Sequence, residues 1–279
     1  MVLGAAVLFS TGGAAIKACS LSGWQVASFR SGVACIAVLL VVPAARRRWN
    51  ARTLAVSAAY AATLVLYVLA NKLTTAANTI FLQDTAPLYI LLLGPWLLHE
   101  RIRRRDLGFT VLFAAGMALF FVGAAPRFHT APDPLAGNLL AVAAGVCWAL
   151  TIIGLRWLGR EGSGSAGASA AAVALGNLLA FAFTLPMALP VRRAGAADWG
   201  LVIFLGVIQI GLAYVLLTRG VGRVPALEAS LLLLLEPVLN PVWAWLVHGE
   251  RPGPWALLGG LIILGATALK TWTQERVPA

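Results

Sequence analysis

The chain has 279 residues, 60% of them hydrophobic and only 11% charged, with a formal net charge of +11. Soluble domains carry about 25% charged residues, so a water-soluble fold of this composition would lack a polar surface. A bilayer removes the difficulty, because lipid-facing side chains stay apolar while helices satisfy their own backbone groups. At about 20 residues per span the length suits about ten spans and leaves no stretch for a soluble domain.

In chain order, the apolar runs predict spans at 2–18, 24–43, 54–72, 77–98, 107–124, 135–155, 167–190, 198–218, 224–247 and 254–271. The first begins almost at Met1, but the charged n-region and small-residue cleavage site of a signal peptide are missing. Residues 125–134, with Pro126, Pro132 and Pro134, connect a first unit (1–124) to a second (135–279). Gly162 to Gly167 reads as a flexible loop between the sixth and seventh spans. Small residues such as Gly12 and Gly13, or Gly259, Gly260 and Gly265, suit close helix packing. The alternative is a homodimer packed through the fifth and tenth spans.

The two units repeat one pattern. Tyr67-Val68-Leu69 precedes Lys72 as Tyr214-Val215-Leu216 precedes Arg219, and Pro87 precedes Glu100-Arg101 as Pro237 precedes Glu250-Arg251. Phe9 stands before Lys17 as Trp148 stands before Arg156. A unit with an odd number of spans must return upside down, and inverted halves are the sequence sign of alternating access to one central site. Pro87 and Pro237 should bend or break the fourth and ninth spans, with further breaks at Pro95 and Pro241. Paired breaks at matching positions point to a binding site.

Charge distribution gives an orientation. With the N-terminus in the cytoplasm, the inner loops and tail hold 14 basic residues: Arg46, Arg47, Arg48, Arg52, Arg101, Arg103, Arg104, Arg105, Arg156, Arg160, Arg219, Arg223, Lys270 and Arg276. The outer loops hold 6 (Lys17, Lys72, Arg127, Arg192, Arg193 and Arg251), and Arg30 lies within a span. The positive-inside rule therefore places both termini in the cytoplasm. Basic residues confined to short loops do not form a nucleic-acid face.

Polar groups inside spans cost about 2.5–3.5 kcal/mol each when charged, so each calls for a partner or a water-filled cavity. Arg30, roughly 9 Å into the second span at 1.5 Å per residue, either snorkels and ties helices together or meets a substrate carboxylate. Glu236, roughly 18 Å into the ninth span, either bonds backbone freed by the neighbouring break or binds a substrate ammonium or exchanges a proton. Asp84 offers the same choice at shallower depth. Asn78, Phe81, Thr85 and Tyr89 recur in three- and four-residue steps, the spacing of one helix face. With Thr11, Trp148, Gln209, Glu236 and Asn240 they supply aromatic walls and a few polar fixtures for a small-molecule substrate. Trp24, Trp49, Trp96, Trp157, Trp199, Trp255 and Trp272 fall near span ends and read as interface anchors. Cys19, Cys35 and Cys147 read as small packing residues. Scattered histidines offer neither zinc spacing nor a catalytic triad, and no Walker-type loop is present, so neither an enzyme nor a cofactor is expected.

The segments Pro87 to Arg101 and Pro237 to Arg251, the Leu235-Glu236-Pro237 triplet and Arg30 make the chain resemble the drug/metabolite transporter superfamily, in its ten-helix members with two EamA-type repeats. The likeness covers essentially the whole chain, although His99-Glu100 replaces the usual Gly-Glu that Gly249-Glu250 keeps. It implies an all-α fold of ten membrane helices, four spans of each half around a central cavity with the fifth and tenth outside. It also implies a bacterial inner-membrane exporter of small amphipathic metabolites, amino acids including aromatic ones foremost. Other metabolites or cationic drugs are the rival cargo, and a channel or intramembrane enzyme the rival class.

Overall fold

A computed structural model describes residues 1–46, 49–97, 104–122, 129–159, 165–221 and 232–275. It is all-helical in its membrane part. The first span comprises Val2–Ser10 and Gly12–Ala18, the second Gly23–Val41, the third Ala51–Leu73, and the fourth Ala76–Gln83 with Ala86–Leu97. Arg104–Leu119 is the fifth, Pro134–Gly159 the sixth and Ser165–Ala188 the seventh. The eighth runs through Ala196–Ile203, a π-helical stretch Phe204–Leu212 and Ala213–Val221, and Leu235–His248 and Pro254–Glu275 belong to the ninth and tenth. Six of the described helices are long and apolar enough to cross a membrane uninterrupted, and Val2–Ala18 and Leu107–Leu119 are shorter apolar helices.

Packing obeys one rule in both halves. The second span lies on the seventh, the fourth on the ninth and the fifth on the tenth, each against its own counterpart. The other main contacts between the halves come in exchanged pairs: third on sixth and eighth on first, third on seventh and eighth on second, fourth on sixth and ninth on first. That is the pattern of two five-span units related by a two-fold axis, inverted because five is odd.

The breaks precede the prolines. The fourth helix is interrupted at Asp84 and Thr85, three and two residues before Pro87, and the ninth at Leu234, three before Pro237. A proline lacks the N–H that would bond the carbonyl four residues earlier but fits the first turn of a new helix, so each helix stops and restarts with proline in its opening turn. Gly145 of the sixth span seats against the break: a Cβ there would come within 3.0 Å of Leu82 O and 3.1 Å of Gln83 O. Pro241 lies inside an unbroken helix and Pro95 inside Ala86–Leu97, so neither adds the break its sequence suggested; each removes one backbone bond from a helix held by its neighbours.

Small residues act within the chain. A Cβ at Gly12 would press on Gln209, one at Gly13 on Asn240 and Ala76, and one at Gly260 on Phe81. Gly116 and Gly259 bring the fifth and tenth backbones together, so a homodimer through these spans would have to use their opposite, exposed faces, where Val111 and Leu261 lie. Trp49, Trp96, Trp157, Trp199, Trp255 and Trp272 are exposed, whereas Trp24 is half-buried against Ala61, Val65 and Ala180. The three cysteines are free thiols. Of the expected Gly162–Gly167 loop, residues 162–164 lie outside the described ones and Ser165 already opens the seventh helix.

Candidate functional site

The breaks of the fourth and ninth spans lie close to each other. Counted from the matching prolines, Asp84 corresponds to Leu234 and Glu236 to Ala86, so each half brings one carboxylate to a different step of its break. Asp84 and Glu236 are close enough to repel each other, and both are densely surrounded by protein without being sealed. Glu236 sits in the first turn of its half-helix, where the positive end of the helix dipole favours a negative charge, whereas Asp84 lies in the break itself, as the C-cap of Ala76–Gln83 and two residues ahead of Ala86–Leu97.

Tyrosines from the third and eighth spans line the same region. Tyr67 accepts a hydrogen bond from Asn240 Nδ2 at 3.1 Å and lies within electrostatic reach of Glu236 and Arg30. Tyr60, seven residues and two turns earlier on the same face, lies beside Asn177 and Arg30 and meets the Trp148 ring at 6.4 Å between centroids. Tyr214 interacts with Tyr60 from the other half. Arg30 is only 1% exposed, donates from Nη2 to Leu64 O at 3.0 Å and lies within electrostatic reach of Tyr67 and Tyr60.

The first and eighth spans close a second side. The first helix is interrupted at Thr11, whose hydroxyl turns back to Leu8 O at 2.7 Å. Gln209, in the π-helical stretch, donates across this break to Phe9 O at 3.3 Å, and Trp243 Nε1 donates to Ser10 Oγ at 2.9 Å. π-helical turns recur at functional sites, and this one packs tightly: a Cβ at Gly206 would come within 2.8 Å of Arg30 O.

Of the residues singled out from sequence, the structure gathers Trp148, Glu236, Asn240 and Asp84 around Tyr67 and Tyr60, with Gln209 and Thr11 at the adjoining break. Others face elsewhere. Phe81 is buried against Gly260 and meets Phe120 in a tilted contact with 6.0 Å between centroids. Asn78 donates to Asn138 Oδ1 at 3.0 Å and lines a separate cavity of about 140 Å³ between the fourth, fifth and tenth spans. Thr85 is buried with its hydroxyl on Leu82 O, and Tyr89 donates to Met117 Sδ at 3.4 Å. The reason is the break: Asn78 and Phe81 lie on one half-helix, Thr85 in the break and Tyr89 beyond it, so the three- and four-residue spacing does not carry one face across. Tyr60, Asn71 and Asn177 were missed. Tyr67 and Tyr214 entered only as repeat markers, although a tyrosine in mid-span is itself a signal of a polar interior.

Known proteins agree with this architecture. The profile of the EamA-like transporter family matches residues 1–122 and again 135–272. The threonine/homoserine exporter RhtA of Escherichia coli K12 is 27% identical over 216 residues, covering 76% of this chain and 68% of that protein. The aromatic amino acid exporter YddG of Ancylobacter novellus is 26% identical over 211 residues, covering 75% and 72%. A solved crystal structure with 20% identity superposes at a TM-score of 0.64, covering all of this chain and 97% of the other, a likeness of fold. Among the described residues no group of His, Cys, Asp or Glu is arranged to hold a metal ion.

Proposed function

Because the chain belongs to the EamA-like transporter family, and is thus a transporter and not an enzyme, we propose that it exports small amino-acid-like metabolites across a bacterial inner membrane by alternating access. Amino acids, aromatic ones included, are the foremost cargo. The observation that carries this reading is the pair Asp84 and Glu236 at the two helix breaks, walled by Tyr60, Tyr67, Tyr214 and Trp148. Such carboxylates attract a substrate ammonium, and the rings accept an apolar or aromatic side chain. Arg30, enclosed and bonded to backbone, fits a helix tie better than a contact to a substrate carboxylate in this conformation. The relatives that export threonine, homoserine and aromatic amino acids favour the same class.

The centre also favours one rival, since two carboxylates with no open cation beside them among the described residues would take a cationic drug equally well. Counterflow in proteoliposomes separates the two, using L-phenylalanine, L-threonine, a nucleoside and a lipophilic cation in parallel. The amino acids should exchange; exchange of the cation alone would replace this reading with its rival.

Both termini belong in the cytoplasm by the bias of basic residues, which makes the end bearing Lys17 and Glu250 the outer one. Pro132, exposed in the connection between the halves, tests this: with the three native cysteines removed, Pro132→Cys should react with a membrane-impermeant thiol reagent added outside intact cells. Protection there, with reaction only after permeabilisation, would reverse the orientation.

A further inference from the structure

At the outer end one ion pair joins the two halves. Lys17 Nζ lies 2.9 Å from Glu250 Oε1, and the two side chains are only 1% and 2% exposed. The ammonium also donates to Thr74 O at 2.7 Å and Thr130 O at 2.6 Å, so all three of its protons are used. Glu250 Oε1 further accepts from the Thr130 hydroxyl, and Oε2 accepts from Ala76 N at 2.9 Å, in the opening turn of the fourth span's first half-helix. Gly249 makes this reach available by ending the ninth helix at φ +68°, a left-handed cap that glycine adopts without strain. Two side chains thereby tie the first span, the third-to-fourth turn, the connection between the halves and the ninth-to-tenth turn.

We propose that Lys17 and Glu250, bridged by Thr130, are the outer gate of the transport cycle: closed in this structure, and broken each time the mouth opens. This rests on reading the chain as an alternating-access transporter, in which the ends of the two halves must part. Three observations carry it. The pair crosses between halves, where opening must act. Its backbone partners at Thr74, Thr130 and Ala76 are tied to the closed geometry and cannot follow both residues when they separate. And a buried ion pair roughly breaks even against the hydration of its two charges, so at the polar end of the spans the separated groups regain in water much of what they lose. An apolar plug would lack that balance. By sequence alone the repeat puts Arg156 and Glu100 at the matching positions; Glu100 lies outside the described residues, and the outer gate stands without it.

The test measures the mouth directly. In full-length protein in lipid nanodiscs, with Cys19, Cys35 and Cys147 replaced, spin labels at Ala18→Cys and Arg251→Cys, both exposed and on opposite sides of the pair, report the distance across it. Glu250→Gln should shift the distribution to longer distances, and Thr130→Val, which removes only the bridging hydroxyl, should shift it less in the same direction. An unchanged distribution in a folded Glu250→Gln protein overturns the gate; if that variant fails to fold, an unchanged distribution in Thr130→Val does so. A second arm uses Lys17→Cys with Glu250→Cys and a reducible bifunctional thiol reagent of matching span: crosslinking should abolish L-phenylalanine counterflow and reduction restore it, whereas full counterflow in the crosslinked protein overturns the proposal. The distance measurement needs no substrate, so it stands or falls apart from the assigned cargo.

Discussion

At the end that bears Lys17 and Glu250 the charged groups have their complements. Lys17 and Glu250 use each other and four surrounding groups, Asp198 accepts from Ser20 N at 2.6 Å, Ser20 Oγ at 2.8 Å and Gly195 N at 2.9 Å, and Lys72 donates to Cys19 O at 2.6 Å. In the span centre the opposite holds: Arg30 Nε, Asn71 Oδ1, Asn177 Oδ1, Gln209 Oε1 and Asn240 Oδ1 are buried without a hydrogen-bond partner. Each such atom costs about 1–3 kcal/mol, and native proteins tolerate few of them. An end that is complete by itself holds a state shut. A centre that is incomplete by itself is suited to a visitor with polar groups of its own.

The comparison breaks most visibly at Lys17. Lys17→Met strands a buried carboxylate, for which the expected loss is about 3–5 kcal/mol. Glu250→Gln keeps one oxygen to accept from Ala76 N and turns an NH2 that can only donate toward Thr130 and Lys17, but the ammonium keeps its two carbonyls and no carboxylate is left without its cation, so it should cost less. Denaturation of both variants in nanodiscs checks the order, and equal losses would mean that the carboxylate does not depend on its cation.

Packing at the first span's break comes next. Gly13→Val would overlap Asn240, itself held by Tyr67, so overpacking should cost about 1–3 kcal/mol. Gly265→Val, in a place where nothing lies within 4 Å, should change stability little by the same assay.

How much of this could be read from the sequence follows from what each feature depends on. The ten spans, the repeat and the neighbourhood of both helix breaks are local or periodic properties, visible in hydropathy and in the matched Pro87 and Pro237. The grouping of Asn78 and Phe81 with Thr85 and Tyr89 was not recoverable, because it assumed one continuous helix across Asp84. Lys17 was legible as a basic outer-loop residue and a repeat marker, and Glu250 as part of a repeated Glu-Arg and a Gly-Glu motif, but nothing linked the two. Their pairing spans 233 residues and depends on how the halves fold together, which no spacing in the chain encodes.

Aromatic walls give a smaller effect, on transport. An aromatic contact contributes about 1 kcal/mol, or roughly fivefold in apparent affinity. Trp148→Ala, which removes the ring beside Tyr60, should raise the half-saturating concentration of L-phenylalanine by about that factor, while Trp272→Ala, exposed near the end of the tenth span, should leave it unchanged. Equal effects would take Trp148 off the pathway.

Glu236 should show the smallest effect on stability and the sharpest on function. Sequence reading left it between holding the helix break together and meeting a substrate ammonium or proton. A structural role needs a donor, and among the described residues no hydrogen bond to the Glu236 carboxylate is present; its neighbours Asp84 and Tyr67 act on it electrostatically. Glu236→Gln therefore removes none of the roughly 1 kcal/mol that a typical hydrogen bond contributes, and it relieves a repulsion. Thermal stability should stay at the wild-type level or rise slightly, while counterflow of L-phenylalanine falls, because the carboxylate that attracts the ammonium is gone. A variant that loses folded yield but exchanges substrate normally per folded molecule would return Glu236 to the helix break.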